Sequence, residues 1–522
     1  MPRSGVCFLP PSFAFAIFST RDALTTPNDR RRLENHKNSI PKNYVDRRTA
    51  LKGLVGIAAL PSIASAVPRT DPARTADVIV VGAGFAGLSA AKALRAAGVE
   101  PLVIEARDRV GGRTCPGSIA GLIIDLGGMW VGPTQTALDA LAREYGVKTY
   151  PQYISGKSAI EMNGKWHSSE GEDYLALLSL PVKIDVAQLV YRLTSLSDSI
   201  NPESPWTHPK AQAFDAMTMQ TWLDEHTHTD GAMSFMVSLI RSVFCAEPSD
   251  LSFLFCLFYL KSGGNLEELT TFRNGAQQRL FVGGVHQLSQ RMADHLSERV
   301  LLNSPVTDIE HDADGVTVRC PDATFRARAL IIAIAPALAG RINYSPLLPH
   351  KRDALTQRMP MGSVIKVWIA YPTPFWRTKG FSGLFSSDTA AFGPAFDVTP
   401  PGSHAGLLAG FFDAKNSVEW SARTAEQRRA EVIRCLNGAF GAEASSPLEY
   451  VEKNWSEERY SLGCYTGTLG PGALTQFGTT LREPIGRLFF AGTESSPIWA
   501  GYIEGALRSG ARAAAEVRQY LK

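Results

Sequence analysis

The stretch that most constrains how this chain folds is Asp77-Val-Ile-Val-Val-Gly-Ala-Gly-Phe-Ala-Gly87, together with its continuation to Glu105. Asp77-Val-Ile-Val-Val81 is short, β-branched and apolar, the pattern of a strand buried on both faces. Gly82-Ala-Gly84-Phe-Ala-Gly87 comes at once, then Leu88–Ala97 reads as a helix with Gly98 as its C-cap. A second strand, Pro101-Leu-Val-Ile-Glu105, closes on an acid. Each part has a task in holding a dinucleotide. Gly82 makes the tight turn, Gly84 lets the backbone approach a pyrophosphate, and Gly87 lets helix and strand pack closely. The helix N-terminus offers unpaired N–H groups to phosphate, and Glu105 can accept hydrogen bonds from ribose hydroxyls. A glycine-rich turn alone is common; strand, turn, helix, strand and terminal acid in this order are not. The motif leaves NAD and FAD both open.

At 522 residues the chain exceeds one simple core, so two intertwined domains are expected. A net charge of +3 and the lack of a basic, aromatic-interleaved patch give no reason to expect a nucleic-acid partner. Seven cysteines without paired short spacings predict neither a metal centre nor a disulfide scaffold. Residues 1–66 differ from the rest. Asp46-Arg47-Arg48-Thr-Ala-Leu-Lys52, the apolar run Gly53–Leu60 and Ala64-Ser65-Ala66 resemble a twin-arginine export signal. That predicts a periplasmic or extracellular protein, or a cytoplasmic one if the leader does not function. The signal lies far from Met1, so residues 1–37 read as an upstream mis-start. The apolar run is too short to span a membrane as a helix.

Beyond the glycine turn, Glu105-Ala-Arg107-Asp-Arg-Val-Gly-Gly-Arg113-Thr and Asp125-Leu-Gly-Gly128-Met129-Trp130-Val-Gly-Pro-Thr-Gln135 resemble the extended FAD signature of the flavin amine oxidase family. The resemblance implies FAD rather than NAD. It places Arg113 and the Gly127-Gly128 backbone against pyrophosphate and flavin, with Glu105, Arg107, Met129 and Trp130 among the cofactor contacts. Leu175–Ser197 and Met233–Lys261 carry apolar residues at helical spacing. A helix Val285–Leu296 is followed by short strands at Val300–Leu302, Val306–His311, Val316–Arg319, Thr324–Arg328 and Leu330–Ala333, with a hairpin turn at Asp314-Gly315. These resemble the strand meander that completes an FAD domain, with the Val306 backbone against adenine. The fold expected is therefore α/β: a discontinuous Rossmann-like FAD domain (75–150, 282–355, 458–522) with an inserted α+β substrate domain (151–281, 356–457).

The reacting end is spread over the second half. Lys366 enters the apolar run Gly362–Tyr371, where burying it unpaired is costly; by its residues alone it reads as a lysine snorkelling at a strand end. The resemblance instead makes it the lysine that holds a water against flavin N5. Gln277, in Phe272–Gln277, matches a glutamine lining the substrate cavity. Arg487–Glu494 reads as a buried strand ending in a Gly-Thr-Glu turn, and Trp499–Gly505 opens a helix to Tyr520, whose N-terminus can face a flavin edge that gains negative charge. Thr493, Glu494, Tyr502 and Ile503 are its expected flavin contacts. Within Tyr460–Gly472 the family places Cys464 at the dimethylbenzene edge, where it forms a thioether in monoamine oxidases; Leu462 departs from the glycine of the animal enzymes. The other reading of Cys464 is a small buried hydrophobe. Tyr465 and Tyr502 match the two rings that flank the substrate amine.

The implied activity is oxidative deamination of primary monoamines to aldehyde, ammonia and hydrogen peroxide, with O2 as acceptor. A polyamine or L-amino-acid oxidase of the same superfamily, and a non-oxidase FAD-binding protein, are the alternatives. A soluble enzyme is expected, because the chain stops just after its last helix without a C-terminal anchor. Pairing with a second copy stays open.

Overall fold

A computed structural model describes residues 74–171 and 174–522; the leader, with its export motif, lies outside the described residues. The predicted opening appears in full. The strand Arg74–Val81 leads through the glycine turn into the helix Phe85–Ala96 and the strand Pro101–Ile104. Gly98, just past that helix, takes φ +76°, the left-handed conformation expected of a C-terminal glycine.

Arg74–Val81 pairs in parallel with Pro101–Ile104 on one side and with Ala323–Ile332 on the other, at the centre of an eight-stranded sheet. This sheet draws on three separated stretches of chain: residues 74–104, 300–345 and 488–490. One face is covered by the helices Phe85–Ala96, His286–Leu296 and Ile503–Tyr520, which pack on Val78, Val80, Val103 and Ile331. A seven-stranded sheet draws on 157–170 and 364–454, with Val364–Tyr371 second from one edge. Between residues 180 and 270 the chain is helical and forms a separate apolar core. No helix among the described residues is long and apolar enough to cross a membrane.

Several predicted elements are corrected. Met233–Lys261 is two helices, Asp230–Phe244 and Phe253–Ser262. The first stops where Cys245 turns left-handed at φ 51°, and the second starts where the Ser252 hydroxyl caps the Phe255 N–H. Thr324–Arg328 and Leu330–Ala333 are one strand, Ala323–Ile332. Its neighbour changes from Val316–Cys320 to Leu488–Phe490 at Leu330, so its pattern passes from alternating to continuous burial without a break in the chain. The strand expected from Val306 starts at Asp308, leaving Val306 in the loop before it. The C-terminal helix starts at Ile503 rather than Trp499.

Candidate active site

The glycine turn fits a dinucleotide. A Cβ at Gly87 would lie 1.8 Å from the Gly82 carbonyl oxygen, so the close approach of helix to strand requires glycine there. A Cβ at Gly84 would meet nothing nearer than the Gly112 Cα at 3.9 Å; it would project into an open cradle, which is the room a pyrophosphate needs. No side chain caps the Phe85–Ala96 helix at Gly84, so its first N–H groups face that cradle. Glu105 is 3% exposed. One carboxylate oxygen accepts from the Ala83 N–H at 2.7 Å, holding the turn, and the other from the Arg107 N–H at 3.0 Å. The expected ribose acceptor is thus also the brace of the phosphate loop. Arg107 continues to Glu458 and Ser461, tying the adenosine side to the loop that leads to Cys464.

Lys366 does not snorkel: it is 2% exposed on a strand buried along its whole length. Its Nζ donates to the Asp125 and Gly127 carbonyl oxygens at 2.8 and 2.7 Å and approaches the Met129 sulfur at 3.0 Å, among the rings of Trp130, Trp368 and Phe411. Burial outweighs the nearby Asp125 charge and brings its pKa down to about 7. The ammonium is held by backbone dipoles, with no carboxylate in salt-bridge contact among the described residues. Trp130 donates to Gln152 at 2.9 Å and meets Phe396 edge-on. The nearest atom to a Cβ at Gly128 would be the Ile503 methyl at 3.5 Å, so the start of the C-terminal helix stands over the Gly127-Gly128 backbone.

Arg113 goes to a partner that its sequence neighbourhood does not disclose. Its guanidinium holds the Glu494 carboxylate at 2.6 and 3.1 Å and donates to the Tyr465 carbonyl oxygen at 2.9 Å. Glu494 also accepts from the Gly467 N–H at 3.2 Å. Burial pushes the Glu494 carboxyl up, but the Arg113 guanidinium outweighs it and holds the group below the ordinary range. The pair leaves no net charge at this point. Thr493 donates to the Tyr502 carbonyl oxygen at 2.8 Å, and the Ile503–Tyr520 helix has no side-chain cap.

Cys464 is 5% exposed, and burial pushes its thiol up to about 12. Tyr465 follows through a cis peptide bond and stands 6.1 Å edge-on from Phe411. Tyr502 packs edge-on to Trp499 at 4.7 Å and lies tilted against the Tyr259 ring at 6.3 Å. Burial is the main reason that both phenols ionise above their ordinary range, and the Tyr502 phenolate would further oppose ionisation of Tyr465. Gln277 donates through Nε2 to the Leu269 carbonyl at 2.9 Å, whereas its Oε1 is buried without a partner. Sequence reasoning missed four further side chains here. Tyr259 and Cys245 lie against the two tyrosines, on elements more than 200 residues away in sequence. Glu268 sends its field onto Tyr502. Gln135, 1% exposed and ending the Asp125–Gln135 signature, has a buried Nε2 with no partner.

The arrangement is a phosphate cradle at one end, a brace of backbone glycines and a buried lysine in the middle, and two neutral phenols at the other. The profile of the flavin containing amine oxidoreductase family matches residues 85–518. The Dictyostelium discoideum protein named "Probable flavin-containing monoamine oxidase A" is 38% identical over 448 residues, covering 85% of this chain and 98% of that protein. Among solved structures, cyclohexylamine oxidase from Brevibacterium oxydans IH-35A superposes with a TM-score of 0.81 at 34% identity, over 85% of this chain and 99% of that one. Wild-type putrescine oxidase bound to putrescine gives 0.82 at 32% identity, over 86% and 100%. The chain belongs to the flavin-containing amine oxidoreductase family and is an FAD-dependent amine oxidase.

Proposed function

We propose that the substrate is a primary monoamine, received between Tyr465 and Tyr502 in a slot poor in fixed charge. One observation carries this reading. The two phenols are half-buried against apolar rings, Tyr465 on Phe411 and Tyr502 on Trp499, and stay neutral, while Arg113 neutralises the carboxylate Glu494. An L-amino acid would need a free guanidinium for its carboxylate, and Arg113 is already committed.

FAD, when bound, supplies the acceptor for the hydride equivalent lost from the amine α-carbon and afterwards reacts with O2 to give hydrogen peroxide. The chain's own groups do the rest. Its glycine turn and helix N-terminus would hold the pyrophosphate, Glu105 the ribose, and the uncapped N-terminus of Ile503–Tyr520 the flavin edge. The resemblance gives Cys464 the thioether to the cofactor and Lys366 the water beside the reacting centre. Tyr465 and Tyr502 exclude water from the amine, which favours loss of its ammonium proton before C–H cleavage. Their π faces attract the cation and act the other way. The buried Oε1 of Gln277 can accept an N–H of the amine, fixing the nitrogen without adding charge.

Glu268 favours a second reading. Its half-buried carboxylate acts on Tyr502 and has no basic partner among the described residues. A distal ammonium would suit it, which makes an α,ω-diamine the alternative substrate. Peroxide release from benzylamine, tyramine, putrescine and leucine decides between the readings. The monoamine reading expects the first two to lead, with kcat/KM rising with pH through an apparent amine ionisation. Putrescine in first place, with that lead abolished by Glu268→Gln, establishes the diamine reading. Leucine in first place ends both.

A further inference from the structure

We propose that Met129 is a site of oxidation by the enzyme's own hydrogen peroxide, its thioether sulfur taking up one oxygen to become the sulfoxide. The inference rests on the reading above, in which FAD lies against the Gly127-Gly128 backbone and peroxide forms beside Lys366. The Lys366 ammonium has three N–H groups. Two go to the carbonyl oxygens of Asp125 and Gly127, at 2.8 and 2.7 Å, and the third to the Met129 sulfur at 3.0 Å. Of these three acceptors only the sulfur can be oxidised. Met129 follows Gly127-Gly128 directly in the chain and is 1% exposed, so its sulfur is turned to the lysine and away from bulk solvent. A thiol reacts as its thiolate, whereas a thioether needs no deprotonation. Burial keeps the Cys464 thiol protonated, with its pKa pushed up to about 12, and leaves the thioether as the readier nucleophile.

The step balances with the groups present. The sulfur lone pair attacks one peroxide oxygen, the S–O bond forms and the O–O bond breaks. The departing hydroxide takes a proton from the Lys366 ammonium and leaves as water, and the hydroxyl on sulfur returns its proton to the amine. Methionine loses two electrons and peroxide gains them. Met129 also lines a cavity of about 20 Å³, shared with Ile124, Tyr150, Leu280 and Trp368, which is space enough for one added oxygen atom. A sulfoxide oxygen accepts a hydrogen bond better than a thioether sulfur does. The third Lys366 N–H is then drawn to Met129 and away from the water that the resemblance gives it, so the oxidation slows the step that makes the peroxide.

The test compares two arms that differ in where the peroxide starts. In the first, holoenzyme turns over the amine that leads the panel above, in air, with excess catalase to remove peroxide that escapes. In the second, resting holoenzyme receives the same total peroxide from solution, without amine or catalase. Peptide mass spectrometry reads the sulfoxide at each methionine. Met162 and Met217 are half-buried, and Met219 and Met292 are as buried as Met129. In the first arm Met129 is expected to carry about tenfold more sulfoxide than any of these four; in the second, Met162 and Met217 lead and Met129 lags, because exposure governs attack from solution. The same order in both arms overturns the inference, and so does a Met129 no more oxidised than Met219 and Met292 during turnover. Oxygen uptake in the first arm should decline in step with Met129 sulfoxide, and Met129→Leu, whatever its starting rate, should decline more slowly. Equal declines overturn the link to Lys366. Failure of the underlying reading looks different: with catalase omitted, no amine then yields peroxide, and the inference falls with it.

Discussion

The glycine turn at residues 82–87 and the tyrosine slot around residue 465 are built by opposite means. At the turn, the strand, glycines, helix and acid all lie within 32 residues, Arg74 to Glu105, and the ligand-facing groups are main-chain N–H groups. At the slot, every decisive contact crosses the chain: Arg113 to Glu494, Lys366 to Asp125 and to Met129. The first site depends on where a Cβ is missing. The second depends on burial shifting side-chain chemistry, since Lys366, Cys464 and the phenols all titrate away from their ordinary values for want of water. A backbone site should therefore fail by steric exclusion, and a side-chain site by unpaired charge.

The largest effect expected from this contrast is at the turn. Gly87→Ala drives a methyl to 1.8 Å from the Gly82 carbonyl oxygen and should abolish both flavin content and cooperative unfolding. Gly84→Ala finds room at 3.9 Å and should leave the apoprotein's Tm near wild type while raising the Kd for FAD roughly tenfold or more, because the methyl occupies the cradle. If the two variants behave alike, the turn is not a binding device separable from the fold.

A smaller effect, and of the other kind, is expected at Arg113–Glu494. Arg113→Met leaves a fully buried carboxylate without its partner, and removing one member of such a pair costs about 3–5 kcal/mol. Urea unfolding of wild type and variant measures it. A loss below about 1 kcal/mol would mean that the carboxylate is hydrated, and that the slot is wetter than the neutral-phenol reading requires.

The same contrast explains what the sequence disclosed. The glycine turn, its helix and the terminal acid were legible because each depends on residues within a few positions of it. The placement of Lys366, Cys464, Tyr465 and Tyr502 rested on a family resemblance, since a lysine in an apolar run, read by itself, is a snorkelling lysine. The structure buries it instead because the Asp125 and Gly127 carbonyls, some 240 residues away, point at its nitrogen. Cys245 gave no local signal; its neighbours predicted a continuous helix, and the left-handed residue that ends that helix also belongs to the apolar cluster that Tyr465 packs against. Glu494 lay in a recognisable Gly-Thr-Glu turn, but nothing near it named Arg113 as its partner.

The smallest effect expected is at Lys366, and its sign is set by linkage. Burial lowers the folded-state pKa from 10.5 to about 7. Between those values the unfolded chain holds a proton that the folded one lacks, so this group's contribution to stability rises with pH from 7 toward 10.5, and its cost is greatest below 7. Lys366→Met removes the titration and leaves the two carbonyls without their donor. The stability of the variant relative to wild type should therefore be most favourable at pH 6 and fall by roughly 2.5–4 kcal/mol by pH 10, because the folded wild type sheds its proton there before the unfolded chain does. Differencing the two proteins cancels every other titrating group that the substitution does not touch. A difference that stays flat from pH 6 to 10 would show that the lysine keeps an ordinary pKa, hence that water or a charge reaches it. The side-chain end of the molecule would then be tuned less by burial than the contrast with the glycine turn requires.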